Sequence, residues 1–327
     1  MSLIADYDAL LLDLDGTVWE GGRAIPGAVE AIINAPVQAL YVTNNASRAP
    51  ETVAGMLAEI GLATSASQIV TSAQAAVALA AQHVPVGSKV LVIGADSFRD
   101  LARKQGFTVV DSADNEPAAV LQGFSPDIGW AQLTEAALAL RAGAKYIVSN
   151  LDTSLPTERG FAVGNGSLVA AVQTATGIEP ISAGKPGSAM FLQAASEAGA
   201  SRPLAVGDRL DTDIAGGNAA SMDTLHVMTG VSLEMALIEA PLEHRPTYLA
   251  QSMGDIFAPK EQLRPSAQGG FTARVDGPDI LLDKGDDDAT SMQALRTVAE
   301  VAWAMPHPPR YIQPVSPAAE RIVQGWR

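Results

Sequence analysis

Short, continuous apolar runs alternate with longer segments of helical periodicity along most of this chain. The apolar runs are ALLLDL (9–14), ALYVT (39–43), KVLVIG (89–94), AAVLQG (118–123), KYIVSN (145–150), PLAVGD (203–208) and TLHVMTG (224–230). The helical segments include PETVAGMLAEIG (50–61), TEAALALRAGA (134–144) and PGSAMFLQAASEAGA (186–200). Continuous strand runs that alternate with helices are typical of βαβ units, in which helices cover both faces of a parallel sheet. The pattern predicts a doubly wound, Rossmann-like α/β fold.

Length and charge narrow the class of protein. A chain of 327 residues suggests about two domains. A formal net charge of −15 argues against nucleic-acid and anionic-membrane partners, because such proteins need basic patches. The absence of cysteine excludes disulfides, thiolate metal sites and a cysteine nucleophile. The N-terminal segment carries Asp6 and Asp8 rather than the basic residues of a signal peptide, so we expect a cytoplasmic protein.

Two carboxylates end the first apolar run, in the segment Leu-Leu-Asp13-Leu-Asp15-Gly-Thr. Side chains alternate along a strand, so residues two apart project in the same direction. A buried strand has no packing reason to end in two acids. The alternative interpretation is an Asp-Gly turn in which the acids are local caps.

A second acidic segment, Gly-Asp208-Arg-Leu-Asp211-Thr-Asp213, follows the strand PLAV. The alternative here is an acidic first turn of a helix, which suits Asp211 or Asp213. Asp208 fits that alternative less well, because it stands at the carboxyl end of the strand. In open α/β sheets ligands bind at that edge.

Two further segments occupy equivalent positions. Thr43, Asn44 and Asn45 follow the strand ALYV, and Lys185 precedes a helix in the segment Ser-Ala-Gly-Lys-Pro. An ordinary loop and a solvated surface lysine are the alternatives. The lysine segment is not a phosphate-binding P-loop, because Pro186 follows the lysine and Glu179 replaces the first glycine.

Together these segments predict a phosphoryl-transfer site. Carboxylates gathered at one sheet edge repel one another unless a hard cation joins them, and Mg²⁺ prefers oxygen ligands. A carboxylate can attack phosphorus and form an aspartyl-phosphate. A lysine and a hydroxyl can bind the non-bridging oxygens and offset their charge.

The ordered motifs D-x-D-G-T, T-N-N, a lone lysine and G-D-x-x-x-T-D resemble those of the haloacid dehalogenase (HAD) phosphatase superfamily. Asp13 and Thr43 are 30 residues apart, Thr43 and Lys185 are 142 apart, and Lys185 and Asp208 are 23 apart. The long gap implies an inserted domain between the second and third motifs, as in the NagD-like branch with a type-2 α/β cap. The resemblance thus implies a HAD core at 1–73 and 183–258 and a substrate-specificity cap at 74–182.

The resemblance also implies roles for the acids. Asp13 would be the nucleophile and a Mg²⁺ ligand. Asp15 would protonate the leaving alkoxide and then deprotonate the hydrolytic water, with its main-chain carbonyl on the metal. Asp208 would be the other carboxylate ligand, and Asp213 would support it from outside the ligand set.

The remaining implied residues would bind substrate. Thr43, together with the amides of Asn44 and Asn45, would hold the phosphoryl group. Lys185 would bridge that group and Asp13, which makes it a catalytic residue as well. In the cap, Asn150 and Asp152 are the candidates for contact with the leaving group. An ordinary polar loop is the alternative for that last pair.

The sequence pattern changes after residue 258. FTARVDGPDILLD (271–283) predicts a β-hairpin, and an acidic turn then leads into a helix anchored by Met292, Leu295, Val298 and Trp303. We treat residues 263–327, called the appendage below, as a small C-terminal module. Its role is left open among dimerisation, shielding of an edge, and a remnant resembling part of an acetyltransferase fold.

These features predict a Mg²⁺-dependent phosphomonoester hydrolase that acts on a small phosphorylated metabolite. The acidic appendage after a NagD-like body is similar to actinobacterial glycerol-3-phosphate phosphatases, which makes glycerol 3-phosphate the first expected substrate. Phosphoglycolate, a sugar phosphate or p-nitrophenyl phosphate is the alternative. A non-catalytic signalling or binding module is the alternative of another class. A homodimer would form through the cap or the appendage.

Overall fold

The computed structural model describes residues 1–157 and 159–326. The strands are β1 (Ala9–Leu12), β2 (Trp19–Glu20), β3 (Arg23–Ala24), β4 (Gln38–Thr43), β5 (Ile69–Thr71), β6 (Lys89–Ile93), β7 (Thr108–Val110), β8 (Ala119–Gln122), β9 (Lys145–Val148), β10 (Ser154–Thr157), β11 (Gly160–Val163), β12 (Ile181–Ser182), β13 (Pro203–Gly207), β14 (Asp223–Val227), β15 (Tyr248–Ala250), β16 (Phe271–Asp276), β17 (Asp279–Lys284) and β18 (Ile312–Pro314). All seven apolar runs of the sequence analysis therefore form strands.

The helices include the three segments selected by periodicity. They are α1 (Ala28–Asn34), α2 (Pro50–Glu59), α3 (Ser72–His83), α4 (Asp96–Lys104), α5 (Trp130–Arg141), α6 (Asn165–Thr176), α7 (Ala189–Ala198), α8 (Ala215–Ala219), α9 (Glu234–Ile238), α10 (Lys260–Leu263), α11 (Ser291–Ala302) and α12 (Pro317–Val323). Helix α5 begins before the expected Thr134. The Gln132 side chain accepts the N–H of Gly129 at 2.8 Å and so caps an earlier first turn.

The chain forms two compact units. The first comprises Met1–Ala39 and Ala198–Arg327, and the second comprises Leu40–Glu197. These limits differ from the predicted domains, since the second unit holds the predicted cap together with flanking segments assigned to the core. The domain boundaries of the sequence analysis stay a prediction.

A parallel sheet organises the first unit. Its strands lie in the order β15-β14-β13-β1. Every residue of β1 is buried, as a central strand covered on both faces requires. The register pairs Leu12 with Val206, so the chain leaves β1 and β13 at the same edge of the sheet. That edge carries Asp13 and Asp208.

The appendage also lies in the first unit and shares a hydrophobic core with it. Strands β16, β17 and β18 form a small sheet, which confirms the expected hairpin and adds one strand. The acidic residues precede α11 rather than forming its first turn, because Thr290 caps the helix in a capping box with Gln293. The shared core contains Leu210, Leu249, Phe271, Leu282, Leu295 and Val298, so residues from both sides of the predicted boundary pack together.

The second unit is also α/β. Its larger sheet has five parallel strands in the order β12-β9-β8-β6-β7. In the same unit β4 and β5 pair in parallel, and β10 and β11 form an antiparallel hairpin. No helix in the described ranges combines the length and hydropathy needed to cross a bilayer.

Candidate active site

A cluster of buried carboxylates lies at the carboxyl edge of the sheet in the first unit. One oxygen from each of Asp13, Asp208 and Asp213 lies within 4.8 Å of the others. Asp13 is 9% exposed and Asp208 is fully buried. The Asp13 N–H donates to the carbonyl of Val206 at 2.9 Å, which extends the pairing of β1 with β13 and fixes the start of the loop.

Neighbouring groups hold the Asp208 carboxylate on both of its oxygens. Thr17 Oγ1 donates to Asp208 Oδ1 at 3.4 Å, and the Val231 N–H donates to Oδ2 at 2.7 Å. A Cβ atom at Gly16 or at Gly230 would overlap the same carboxylate. Neither Thr17 nor Gly230 was predicted from the sequence as a site residue. The D-x-D-G-T motif already contained Thr17, whereas Gly230 had no signal beyond its position after a strand.

Asp213 lies in a π-helical turn, Leu210–Ile214, directly after β13. Its Oδ2 accepts the N–H of Arg209 at 3.1 Å, and its side chain is buried. Both interpretations of the sequence therefore apply to Asp213, which caps a turn and joins the carboxylate cluster. Asp211 instead forms a 2.8 Å ion pair with Arg209 at the surface.

His226 on β14 supports the loop that contacts Asp208. The imidazole is fully buried, and Nε2 is 2.9 Å from the carbonyl oxygen of Ser232. Burial lowers the pKa of His226 to about 4, so the ring is neutral at pH 7. Because a carbonyl oxygen only accepts, Nε2 carries the proton and donates it to Ser232. The loop containing Val231 is thereby tied to the sheet.

Asp15 differs from the buried acids because its side chain is exposed. Its Oδ1 accepts the indole N–H of Trp19 at 2.9 Å. Asp15 and Trp19 also form an isolated parallel bridge between main chains. The expected side-by-side carboxylates of the D-x-D motif thus have different surroundings, one in the buried cluster and one at the surface.

The other predicted residues lie in the second unit. Thr43 ends β4, and its Oγ1 accepts the N–H of Asn45 at 3.1 Å. Lys185 is only 3% exposed, and its Nζ donates to the carbonyl of Val42 at 2.9 Å. The Lys185 N–H donates to Asn44 Oδ1 at 2.9 Å. The structure therefore brings the T-N-N segment and the lysine together, and it shows that Lys185 is not a solvated surface lysine.

Asn150 and Asp152 contact the T-N-N segment. Asn150 Nδ2 donates to the carbonyl of Asn44 at 2.7 Å. The Asn44 amide donates to the two carboxylate oxygens of Asp152 at 3.1 and 3.3 Å. These bonds give both residues a part in holding the loop after β4. Their contact with a leaving group stays a prediction.

A separate cavity of about 410 Å³ lies at the carboxyl end of β6 and β8. Asp96, Asp127 and Arg99 supply its charged lining. Arg99 forms an ion pair with Asp111, which offsets its positive charge. The lining therefore does not favour a phosphate group, and the glycine pattern of a dinucleotide site is also missing there.

The buried donor set fits a hard divalent cation. Three carboxylates this close repel one another strongly in a poorly solvated site, and a cation with oxygen ligands removes that repulsion. The sheet and the cluster together define the class: an α/β protein with a divalent-cation site at the carboxyl edge of a parallel sheet.

Comparison with known proteins agrees with this class. The family model described as haloacid dehalogenase-like hydrolase matches residues 10–108, and the one described as HAD-hydrolase-like matches residues 182–256. The chain belongs to the haloacid dehalogenase-like hydrolase family.

Its relatives include proteins named as phosphatases. It is 40% identical to D-glycerol 3-phosphate phosphatase of Mycobacterium tuberculosis over 310 residues, which cover 92% of this chain and 87% of that protein. It is 34% identical to an acid sugar phosphatase of Staphylococcus saprophyticus over 79% of this chain and 99% of that protein. The crystal structure of the M. tuberculosis glycerol phosphate phosphatase in complex with magnesium matches with a TM-score of 0.95 and 38% identity, covering 100% of this chain and 98% of that one.

Gly230→Ala should damage the cation site. The new methyl group overlaps the Asp208 carboxylate, which must then turn away from Asp13 and Asp213. We expect the apparent Mg²⁺ dissociation constant to rise at least ~10-fold, equivalent to about 1.4 kcal/mol. Thermal unfolding across a Mg²⁺ titration measures this constant without turnover. Gly55→Ala is the control, because its Cβ meets no atom within 4 Å. An unchanged Mg²⁺ response in Gly230→Ala would contradict the assignment of Asp208 as a ligand.

Proposed function

We propose that this chain is a Mg²⁺-dependent phosphomonoesterase of the NagD-like branch, with glycerol 3-phosphate as its first expected substrate. The observation that carries the proposal is the buried cluster of Asp13, Asp208 and Asp213 at the carboxyl edge of the sheet. The similarity to a D-glycerol 3-phosphate phosphatase supports the choice of substrate. The similarity to an acid sugar phosphatase keeps sugar phosphates as the second candidate.

Asp13 and Asp208 would hold the metal, together with the main-chain carbonyl of Asp15. Asp213 lies in the same carboxylate cluster and accepts the Arg209 N–H, so it would orient the ligand set. When bound, Mg²⁺ supplies positive charge that offsets the charge of the phosphoryl oxygens. This local charge reconciles an anionic substrate with a chain of net charge −15.

Asp13 would act as the nucleophile. Its carboxylate oxygen forms a bond to phosphorus while the bond from phosphorus to the ester oxygen breaks, which leaves an aspartyl-phosphate. Asp15 donates its proton to the departing alkoxide. Asp15 then accepts a proton from water, whose oxygen attacks phosphorus and releases phosphate and the Asp13 carboxylate.

Lys185 and Thr43 would bind the phosphoryl group. The Lys185 side chain is buried and held through its bond to Val42, so little side-chain entropy remains to be lost when it binds an anion. Thr43 supplies a hydroxyl, and its Oγ1 already orders the main chain at Asn45. Both groups would offset the charge that develops on the phosphoryl oxygens.

Phosphate release across a panel of phosphomonoesters tests the proposal. We expect turnover of glycerol 3-phosphate in Mg²⁺, the highest kcat/KM for that substrate, and loss of turnover in excess EDTA with recovery on adding Mg²⁺. A higher kcat/KM for phosphoglycolate or a sugar phosphate would overturn only the substrate. No release from any member, p-nitrophenyl phosphate included, would favour the non-catalytic binding module. The cytoplasmic location, the absence of nucleic-acid and membrane partners, and a homodimer stay predictions.

A further inference from the structure

Trp19 makes a contact to which the proposed mechanism assigns no role. Its side chain is only 3% exposed, yet its indole N–H reaches the exposed carboxylate of Asp15 and donates to Oδ1 at 2.9 Å. The single N–H of a buried indole normally donates a hydrogen bond to the nearest main-chain carbonyl or side-chain acceptor. Here the acceptor is Asp15, the residue that carries out both proton transfers in the proposed mechanism.

The indole is a rigid anchor because the main chain around it is heavily bonded. Trp19 begins a tight hairpin in which it pairs with Ala24. Its N–H donates to Leu14 O at 3.0 Å, and its carbonyl accepts the Gly16 N–H at 2.8 Å. Residues 14–24 therefore form a closed unit that starts in the D-x-D motif and returns to its second acid.

Only some staggered rotamers of an aspartate direct its carboxyl group at a leaving oxygen. A fixed donor on Oδ1 selects the rotamers that keep this bond. A general acid is effective only when its proton lies within hydrogen-bond reach of the leaving group.

We propose that Trp19 is a positioning residue for proton transfer by Asp15, acting through the bond from its indole N–H to Oδ1. The proposal rests on the function proposed above. Trp19 would not touch substrate; the O–H bond that breaks is on the Asp15 carboxyl group, and the new O–H bond forms on the leaving alkoxide. Removal of the indole donor then weakens leaving-group protonation without removing the nucleophile.

The test compares two leaving groups in Trp19→Phe, which keeps an aromatic side chain and loses the donor. The alkoxide of glycerol needs a proton as it departs, whereas p-nitrophenolate is a weak base that leaves without one. We expect the rate constant for phosphoenzyme formation from glycerol 3-phosphate to fall ~10-fold or more, because general acid catalysis is worth about 10²–10⁴-fold in total. For p-nitrophenyl phosphate, the same rate constant, measured in the burst phase, should change less than ~2-fold.

Trp303→Phe is the matched control. It also removes an indole hydrogen bond, from Nε1 to Leu237 O at 2.9 Å, but in the appendage. We expect it to lower the melting temperature without separating the two substrates. An equal loss of the rate constant for phosphoenzyme formation on both substrates in Trp19→Phe would assign Trp19 to packing alone and overturn the proposal. A wild-type protein that hydrolyses neither substrate would instead contradict the proposed function.

Two further measurements keep the proposal testable if Trp19→Phe does not fold. In the ¹H–¹⁵N spectrum of the whole protein, the Trp19 indole signal should shift in Asp15→Ala while those of Trp303 and Trp326 stay. Asp15 is exposed, so this variant should retain the fold. Where Trp19→Phe does fold, its effect on glycerol 3-phosphate should vanish in an Asp15→Asn background. An unshifted indole signal, or additive effects of the two substitutions, would overturn the proposal.

Discussion

Asp13→Asn should abolish phosphatase turnover while the protein stays folded. The amide is a poor nucleophile and carries no charge for the cation, so we expect kcat to fall by about 10³-fold or more. The fold should survive, because the bond from Asp13 to Val206 uses the main chain, which the substitution leaves intact. The measurements are phosphate release, circular dichroism, and intact mass after acid quench. Wild type should show a phosphorylated species that the variant lacks.

Asp211→Asn is the control for Asp13→Asn. It makes the same chemical change in the second acidic motif, but Asp211 pairs with Arg209 at the surface. Exposed ion pairs contribute little, about 0–1 kcal/mol, so both kcat and the melting temperature should be close to wild type. Activity that persists in Asp13→Asn, or that is lost equally in Asp211→Asn, would show that the nucleophile has been assigned to the wrong acid.

Deletion of residues 263–327 should prevent stable folding of the first unit. The appendage supplies buried residues to a core that also contains Leu210 and Ile214, the first and last residues of the turn that holds Asp213. Exposing each large apolar side chain costs about 1.5–3 kcal/mol, and several together exceed a typical total stability of about 5–15 kcal/mol. We expect an aggregated or protease-sensitive chain by size-exclusion chromatography and limited proteolysis.

Two point substitutions in the appendage distinguish the loss of buried packing from the loss of exposed surface. Leu295→Ala opens a cavity at a fully buried position and should cost about 2–5 kcal/mol in urea unfolding. Val275→Ser lies in the same module, but its side chain is 49% exposed, so the expected change is within about 0.5 kcal/mol. A truncated chain with unchanged size and kinetics would show that the appendage is dispensable. It would then be a separate C-terminal module, as the sequence predicts.

Arg296 illustrates why the appendage is not a separate module. It is buried in α11, and its guanidinium donates to Leu249 O at 3.0 and 2.6 Å, which satisfies a carbonyl of strand β15 in the parallel sheet. Burial lowers the pKa of this arginine, and its hydrogen bonds offset the cost. The sequence shows a helix with apolar anchors. It does not show which surface those anchors cover, because that surface includes residues of the segment 210–249, far earlier in the chain.

The metal site likewise combines residues that were predictable from the sequence with residues that were not. Asp13 and Asp208 were predictable, because each follows a buried apolar run and parallel strands end at one edge of a sheet. Thr17 and Gly230 were not assigned to the site from the sequence. Thr17 nevertheless donates a hydrogen bond to Asp208, and Gly230 leaves room for the Asp208 carboxylate. Their contribution depends on distances between loops that are far apart in sequence.

The sequence by itself determined the alternation of strands and helices, the parallel sheets, and the acids that end two of the strands. These features follow from local periodicity and from the rule that charged residues do not end a buried strand without a partner. Only the tertiary structure decided that Asp213 joins the buried cluster while Asp211 stays at the surface, and that Trp19 reaches Asp15. The same holds for the appendage, which completes the core of the first unit. These outcomes depend on packing and on long-range hydrogen bonds, which have no period in the sequence.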